Sequence, residues 1–159
     1  MTTTTQSEST QEGWRWFAGT LLRIVTDTDV TGGQLAVMEQ HARQGFSPPR
    51  HVHRREDTAM FVVDGRLTVV IGDEEQVVES GGFVWLPRDV PHTFRVDSEE
   101  AHVLELITPA GVEQFHVDAS DPAPITEIPP PAEPDIARLV AAADGYRVEI
   151  IGPPLLAPA

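Results

Sequence analysis

His51 and His53 stand two apart in the segment from Gly45 to Gly65, GFSPPRHVHRREDTAMFVVDG, directly after Pro48-Pro49. On an extended chain, side chains two apart point to the same face. Both imidazoles can therefore meet one metal ion. A third histidine, His92, opens a strand-like run in GGFVWLPRDVPHTFRV. Neutral imidazole suits Zn, Cu, Fe and Ni. Three protein ligands would leave positions open for water or substrate, the mark of a catalytic rather than a structural metal site. The competing reading is that the three rings merely satisfy backbone carbonyls at a polar cavity mouth.

The elements that would position these residues read as short strands. Leu21 to Val25 is apolar, and Leu35, Val37 and Glu39 alternate with Ala36, Met38 and Gln40. Thr58, Met60 and Val62 share a face. His53 and Thr58 lie five apart, so a bulge or turn must intervene if both point inward. Asp64-Gly65 reads as a hairpin turn and Gly72 to Glu75 as another turn, with Leu67, Val69 and Ile71 alternating between them. Phe83–Leu86, His92–Val96 and Ala101–Thr108 complete the series. Many short strands separated by turns argue for an all-β sandwich or barrel, whose interior is lined by alternate side chains. Trp14 and Trp16 share one face of a first strand, which would pack on the barrel or a partner subunit, or stack on substrate.

At this point the chain resembles the cupins. Their first motif is matched by Gly45, five residues, His51-Val52-His53, four residues, Thr58, six residues, Gly65. Their second is matched by Gly81, five residues, Pro87-Arg88-Asp89, two residues, His92, three residues, Val96. Spacing is kept, and three identities depart. Thr58 stands where the family has glutamate, Asp89 where it has glycine, and Val96 where it has asparagine. The flanking segments are similar to single-domain bacterial cupins of the quercetin-dioxygenase-like group. The resemblance implies an all-β fold, a cupin jelly-roll barrel with one short C-terminal helix, and a homodimer.

Composition bounds the partners. The 159 residues suit one domain. Eleven Lys and Arg against 25 Asp and Glu give a net charge of −14, which argues against nucleic acid and anionic membrane surfaces. There is no cysteine, so a metal must be held by histidine, carboxylate or water. No apolar run approaches the roughly twenty residues of a membrane span. Residues 1–12 read as a disordered polar lead without signal-peptide character, and a cytoplasmic location follows by default. Residues 13–118 form the expected barrel domain. Residues 119–159 follow as a Pro-rich linker, a short helix and a terminal strand packing on the barrel. In that tail Ile136, Leu139, Val140 and Ala143 keep helical spacing.

The resemblance implies a single divalent transition metal, Fe, Ni, Zn, Mn or Cu, on His51, His53 and His92. Glu56 and Asp57 are possible extra ligands if the RRED segment bulges differently. Thr58 is expected to hydrogen-bond metal-bound water or substrate. Glu105, inside the apolar run VLELI, is costly to bury unless paired or facing a cavity, which makes it an acid–base candidate. Met60, Val62 and Phe94 are expected on the cavity wall. His41, His102 and His116 are expected on the surface or on strand exteriors. The implied function is a metal-dependent small-molecule enzyme, a dioxygenase or cyclase. It would bind an enolisable aromatic, polyketide-like or diketone substrate through its enol or dicarbonyl oxygens. The alternative is a non-catalytic binding or sensing module with a degenerate metal site, which the loss of the usual glutamate favours.

Overall fold

The computed structural model of the chain describes residues 13–158; the expected polar lead lies outside the described residues. In chain order the strands are β1 (Arg15–Phe17), β2 (Thr20–Thr26), β3 (Ala36–Arg43), β4 (Arg50–His53), β5 (Asp57–Asp64) and β6 (Arg66–Ile71). They continue as β7 (Glu74–Glu79), β8 (Phe83–Leu86), β9 (His92–Val96), β10 (Glu100–Thr108), β11 (Asp121–Pro122) and β12 (Val148–Gly152). Three helices, α1 (Thr28–Thr31), α2 (Glu113–Asp118) and α3 (Ile136–Gly145), complete the described residues. No helix among them is long and apolar enough to cross a membrane.

The strands form two antiparallel sheets, ordered β11-β1-β2-β3-β10-β5-β8 and β12-β4-β9-β6-β7. Alternation decides which side chains enter the space between them. On β3, Ala36, Met38, Gln40 and Ala42 are buried while Val37, Glu39 and His41 are partly open. Residues paired directly across antiparallel strands share a face. The register Met38↔Glu105↔Met60 therefore puts Glu105 on the inner side.

Two apolar clusters close the barrel. One joins Met60, Val62 and Val84 of the larger sheet to Leu67, Val69, Val78 and Val96 of the smaller. The other packs Phe17, Leu22, Met38 and Ile107 against Val112, Phe115, Leu139, Ala143 and Val148 from α2, α3 and β12. The histidine-bearing cavity touches both clusters through Met60, Leu86 and Phe17.

Arg54, Arg55 and Glu56 separate β4 in one sheet from β5 in the other, the break that His53 and Thr58 require. Asp64-Gly65 departs from expectation. β5 and β6 do not pair, so this is a sheet-to-sheet crossing and not a hairpin. Gly65 has φ 103°, and a Cβ there would lie 2.7 Å from the Glu100 carbonyl oxygen. Backbone passes too close for any side chain. The Gly72-Asp73 turn does close a hairpin, between β6 and β7. Helix α3 is capped by Asp135, whose side chain accepts from the Arg138 amide. β12 does more than pack on the barrel. It adds to the smaller sheet, pairing Val148 with His53 and Ile150 with His51.

Candidate metal centre

β4 has four residues and meets β9 at one paired position, His51↔His92. The β12 ladder supplies its other edge. His51 and His53 thus ride a short strand held from both sides, with His92 directly across. One ligand atom from each of the three lies within 4.8 Å of the others. Ring centroids are 4.5 Å apart for His51–His92, 5.0 Å for His51–His53 and 5.3 Å for His53–His92.

Two tautomers follow from chemistry. His51 Nδ1 donates to the Pro49 carbonyl at 2.7 Å, and His92 Nδ1 donates to the Val90 carbonyl at 3.0 Å. A carbonyl can only accept, so Nε2 of each ring keeps its lone pair. Carbonyl satisfaction therefore leaves a second nitrogen on each ring free for a metal. Burial, partly offset by the Pro49 bond, lowers the His51 pKa. Burial, then repulsion from His51, His92 and His116, holds His53 well below its usual value. Burial pushes His92 down to about 4. All three rings are neutral near pH 7, the form that binds metal. His53 Nδ1 and Thr58 Oγ1 are buried without a hydrogen-bond partner. Orphaned polar atoms of this kind are rare unless an ion or water satisfies the site. The donor set thus fits a divalent transition ion.

Thr58, wholly buried on β5, is paired with Ile107 and Leu86 and brings no carboxylate to the cluster. Asp57 is taken by Arg88, with Nη2 to Oδ2 at 2.9 Å and the Arg88 amide to Oδ1 at 2.8 Å. Arg88 holds its pKa below the ordinary value. Glu56 is buried, its Oε1 lies where a Cβ on Gly111 would meet it at 3.2 Å, and its Oε2 has no partner. Burial raises its pKa. Neither carboxylate joins the three-histidine group.

Glu105, Met60 and Phe94 line one inner cavity of about 50 Å³ with the three histidines. Glu105 has no hydrogen-bonding partner among the described residues, and burial pushes its pKa up to about 7. Val62, expected on the cavity wall, lies in the dry cluster with Leu67, Val84 and Val103. It stands one inward position beyond Met60, where the sheets have closed together.

The Asp89 departure has a simple physical reading. Its φ is 66°, the left-handed conformation that glycine provides and aspartate tolerates. Its amide donates to the His53 carbonyl at 2.9 Å, and its carboxylate meets Arg54 at 3.1 Å. The turn beside His53 is kept without glycine. Val96 fills the core at 1% exposure.

His116 corrects the surface expectation. It lies on α2, is 8% exposed, and lines the inner cavity with His51. The helix is anchored by Glu113, which accepts from Thr28 Oγ1 at 2.9 Å, and by Arg15, which donates to the Val117 carbonyl at 3.1 Å. Sequence reading missed α2. The apolar pair Val112 and Phe115, three apart after Pro109-Ala110-Gly111, was the signal available. His41 and His102 do lie on the outer face of β3 and β10, stacked at 4.2 Å, with Glu39 accepting from His102 at 2.8 Å. Arg23 holds the other Glu39 oxygen at 2.6 Å, and the group is satisfied as a hydrogen-bonded surface cluster.

An outer chamber of about 500 Å³ opens beyond His51. Phe17, Phe46, Pro48 and Phe115 line it from the barrel side, and Pro131, Pro134, Ile136, Leu139 and Pro154 from the tail. The tail therefore roofs the mouth with apolar side chains.

Comparison with known proteins agrees with this architecture. Residues 38–108 match the cupin domain family model. The chain is 23% identical over 128 residues to quercetin 2,3-dioxygenase of Bacillus subtilis, covering 80% of this chain and 38% of that protein. It is 37% identical over 54 residues to the uncharacterised protein SCO3923 of Streptomyces coelicolor, covering 34% and 51%. The chain thus spans about two fifths and one half of these curated relatives. Among solved structures, KdgF from a Halomonas species superposes with a TM-score of 0.60 at 20% identity, over 67% of this chain and 96% of that one. A Bacillus subtilis oxalate decarboxylase with Mn(II) centres gives 0.55 at 21%, over 62% and 27%. With two antiparallel sheets, both spaced motifs and these matches, residues 38–108 carry a cupin domain and the chain has the cupin fold.

Proposed function

We propose that the chain is a metal-dependent enzyme, a dioxygenase or cyclase, acting on an apolar molecule that carries an enol or a pair of carbonyl oxygens. The observation that carries this reading is the placement of three neutral imidazoles beneath a chamber of about 500 Å³ walled by aromatic and proline side chains. His51, His53 and His92 would hold one divalent ion, Fe, Ni, Zn, Mn or Cu. When bound, such an ion supplies Lewis acidity to an oxygen of the substrate. The residues of the chain do the rest. Phe46, Phe94 and Met60 orient the apolar body and exclude water. Glu105, protonated or ionised near neutral pH, can take or return a proton inside the inner cavity. Thr58 offers a hydroxyl whose hydrogen-bonding capacity is unused. The curated relative named as a quercetin 2,3-dioxygenase supports an aromatic enol as the substrate type.

A second reading has its own observation. No carboxylate joins the three histidines as a fourth ligand, so the ligand set itself brings an ion no compensating charge, as in a binding or sensing module without turnover. Oxygen uptake and product analysis separate the two. The metal-loaded protein is given flavonols and β-diketones, with the metal-free protein as control. Metal-dependent turnover supports the enzyme; saturable binding with no product across the panel supports the sensor.

The expected cytoplasmic homodimer stays part of this proposal. Phe61 on β5 and Phe83 and Trp85 on β8 are exposed together on the outer face of the larger sheet, at 36%, 57% and 47%. A contiguous aromatic patch of this kind supports self-association. Trp16 is less available, because its Nε1 donates to the Glu127 carbonyl at 2.8 Å.

A further inference from the structure

The inner cavity and the outer chamber share five lining residues: Phe17, Phe46, Pro48, His51 and His116. These five form the neck that a ligand must pass to reach the three-histidine cluster. Two of them carry polar side-chain atoms. His51 belongs to the cluster, which leaves His116 as the polar group of the neck that the proposed function does not use.

The state of His116 is well defined. Its Nδ1 donates to the Val112 carbonyl at 3.2 Å, one helical turn back, so Nε2 carries the lone pair. No donor among the described residues reaches Nε2. The ring is clamped by Phe17 at 4.9 Å and Phe115 at 5.0 Å between centroids. Burial pushes its pKa down to about 4, and the imidazole is neutral at pH 7. A purely space-filling residue between two phenylalanines needs no nitrogen there. Nε2 opens onto the neck, and a ligand that covers this acceptor without bringing a donor leaves it unpaired at a cost.

We propose that His116 Nε2 is the hydrogen-bond acceptor for a hydroxyl on the ligand, and so selects phenols and enols over molecules of the same shape without a donor. This rests on the reading of the chamber as a substrate pocket. A site built around a hydrogen bond discriminates against an analogue lacking the donor, because the buried acceptor is then left unpaired. One neutral bond of this kind corresponds to about tenfold in affinity.

The test uses the full chain freed of metal by chelation and a matched pair of probes, 2-naphthol and 2-methoxynaphthalene, titrated by calorimetry. The native protein should bind 2-naphthol about tenfold more tightly. His116→Phe removes the acceptor and keeps a ring in the gap, and the ratio should fall to near one. His116→Gln keeps an acceptor and should retain part of the preference. Should His116→Phe fail to fold, shown by its melting transition, His116→Met serves as the acceptor-free variant. An unchanged ratio in the acceptor-free variant, or no binding of either probe, overturns the proposal. Neither metal nor turnover enters the measurement, so a protein that binds no ion or turns nothing over leaves this result standing on its own.

Discussion

Replacing Glu105 with glutamine should stabilise the metal-free protein, and only above mildly acidic pH. Glu105 faces the inner cavity with no cation or hydrogen-bond donor beside it among the described residues, and burial pushes its pKa up to about 7 from an ordinary 4.5. The difference, at about 1.36 kcal/mol per pH unit, corresponds to about 3 kcal/mol. Water entering the cavity makes that an upper value. The sign follows from linkage. A carboxyl with a raised folded pKa contributes stability that is fully present below pH 4.5 and lost as the pH rises through 7. Glutamine keeps the shape and removes the ionisation. Glu105→Gln should thus match the native protein near pH 4.5 and exceed it by up to about 3 kcal/mol at pH 8.5. For a chain of this size that is a rise in Tm of roughly 6–12 °C. Urea unfolding at both pH values, on chelator-treated protein, measures it. The low-pKa histidines titrate in both proteins and cancel in the difference. A pH-independent difference, or a native protein that is the more stable at pH 8.5, refutes the placement of Glu105 as an unpartnered cavity carboxyl.

Other outcomes follow from single residues. Thr58→Val removes a buried hydroxyl that has no partner, so the metal-free protein should be unchanged or gain about 1 kcal/mol and keep its metal affinity; loss of the metal would make the hydroxyl a ligand. Thr58→Glu should destabilise the metal-free protein by burying a carboxylate and should gain more thermal stabilisation from added Zn²⁺ than the native chain does, as paired melting curves would show. Gly65→Ala should cost about 2–4 kcal/mol, because its Cβ would press on the Glu100 carbonyl and the Ala101 Cα at a φ of 103°; a urea midpoint within error of the native one contradicts that crossing.

The strand pattern was legible because alternation is a local property. Thr58, Met60, His51 and His53 could be assigned faces from their spacing, and the two motifs brought His92 to the same place. Sheet membership was not legible. Asp64-Gly65 has hairpin chemistry, yet the chain crosses between sheets there, a choice made by the tertiary approach of Glu100 and Ala101. His116 was missed for a related reason. A six-residue helix gives too short a period to read, and its anchors, Arg15 and Thr28, lie roughly a hundred residues upstream. Val62 and Met60 share a face and a chemistry, so only the closing of the sheets tells wall from core. Asp89 shows the converse. Its left-handed φ keeps a turn at the position where the family has glycine.

Metal content per chain decides whether His51, His53 and His92 form a metal centre. The purified protein, reconstituted with each of Fe, Ni, Zn, Mn and Cu and then desalted, is analysed for elements against protein concentration. One equivalent of at least one of these ions is expected, lost in each of His51→Ala, His53→Ala and His92→Ala and retained in Glu56→Gln and Asp57→Asn. A native chain that retains none of the five ions, or a histidine variant that keeps its full equivalent, would contradict a three-histidine centre.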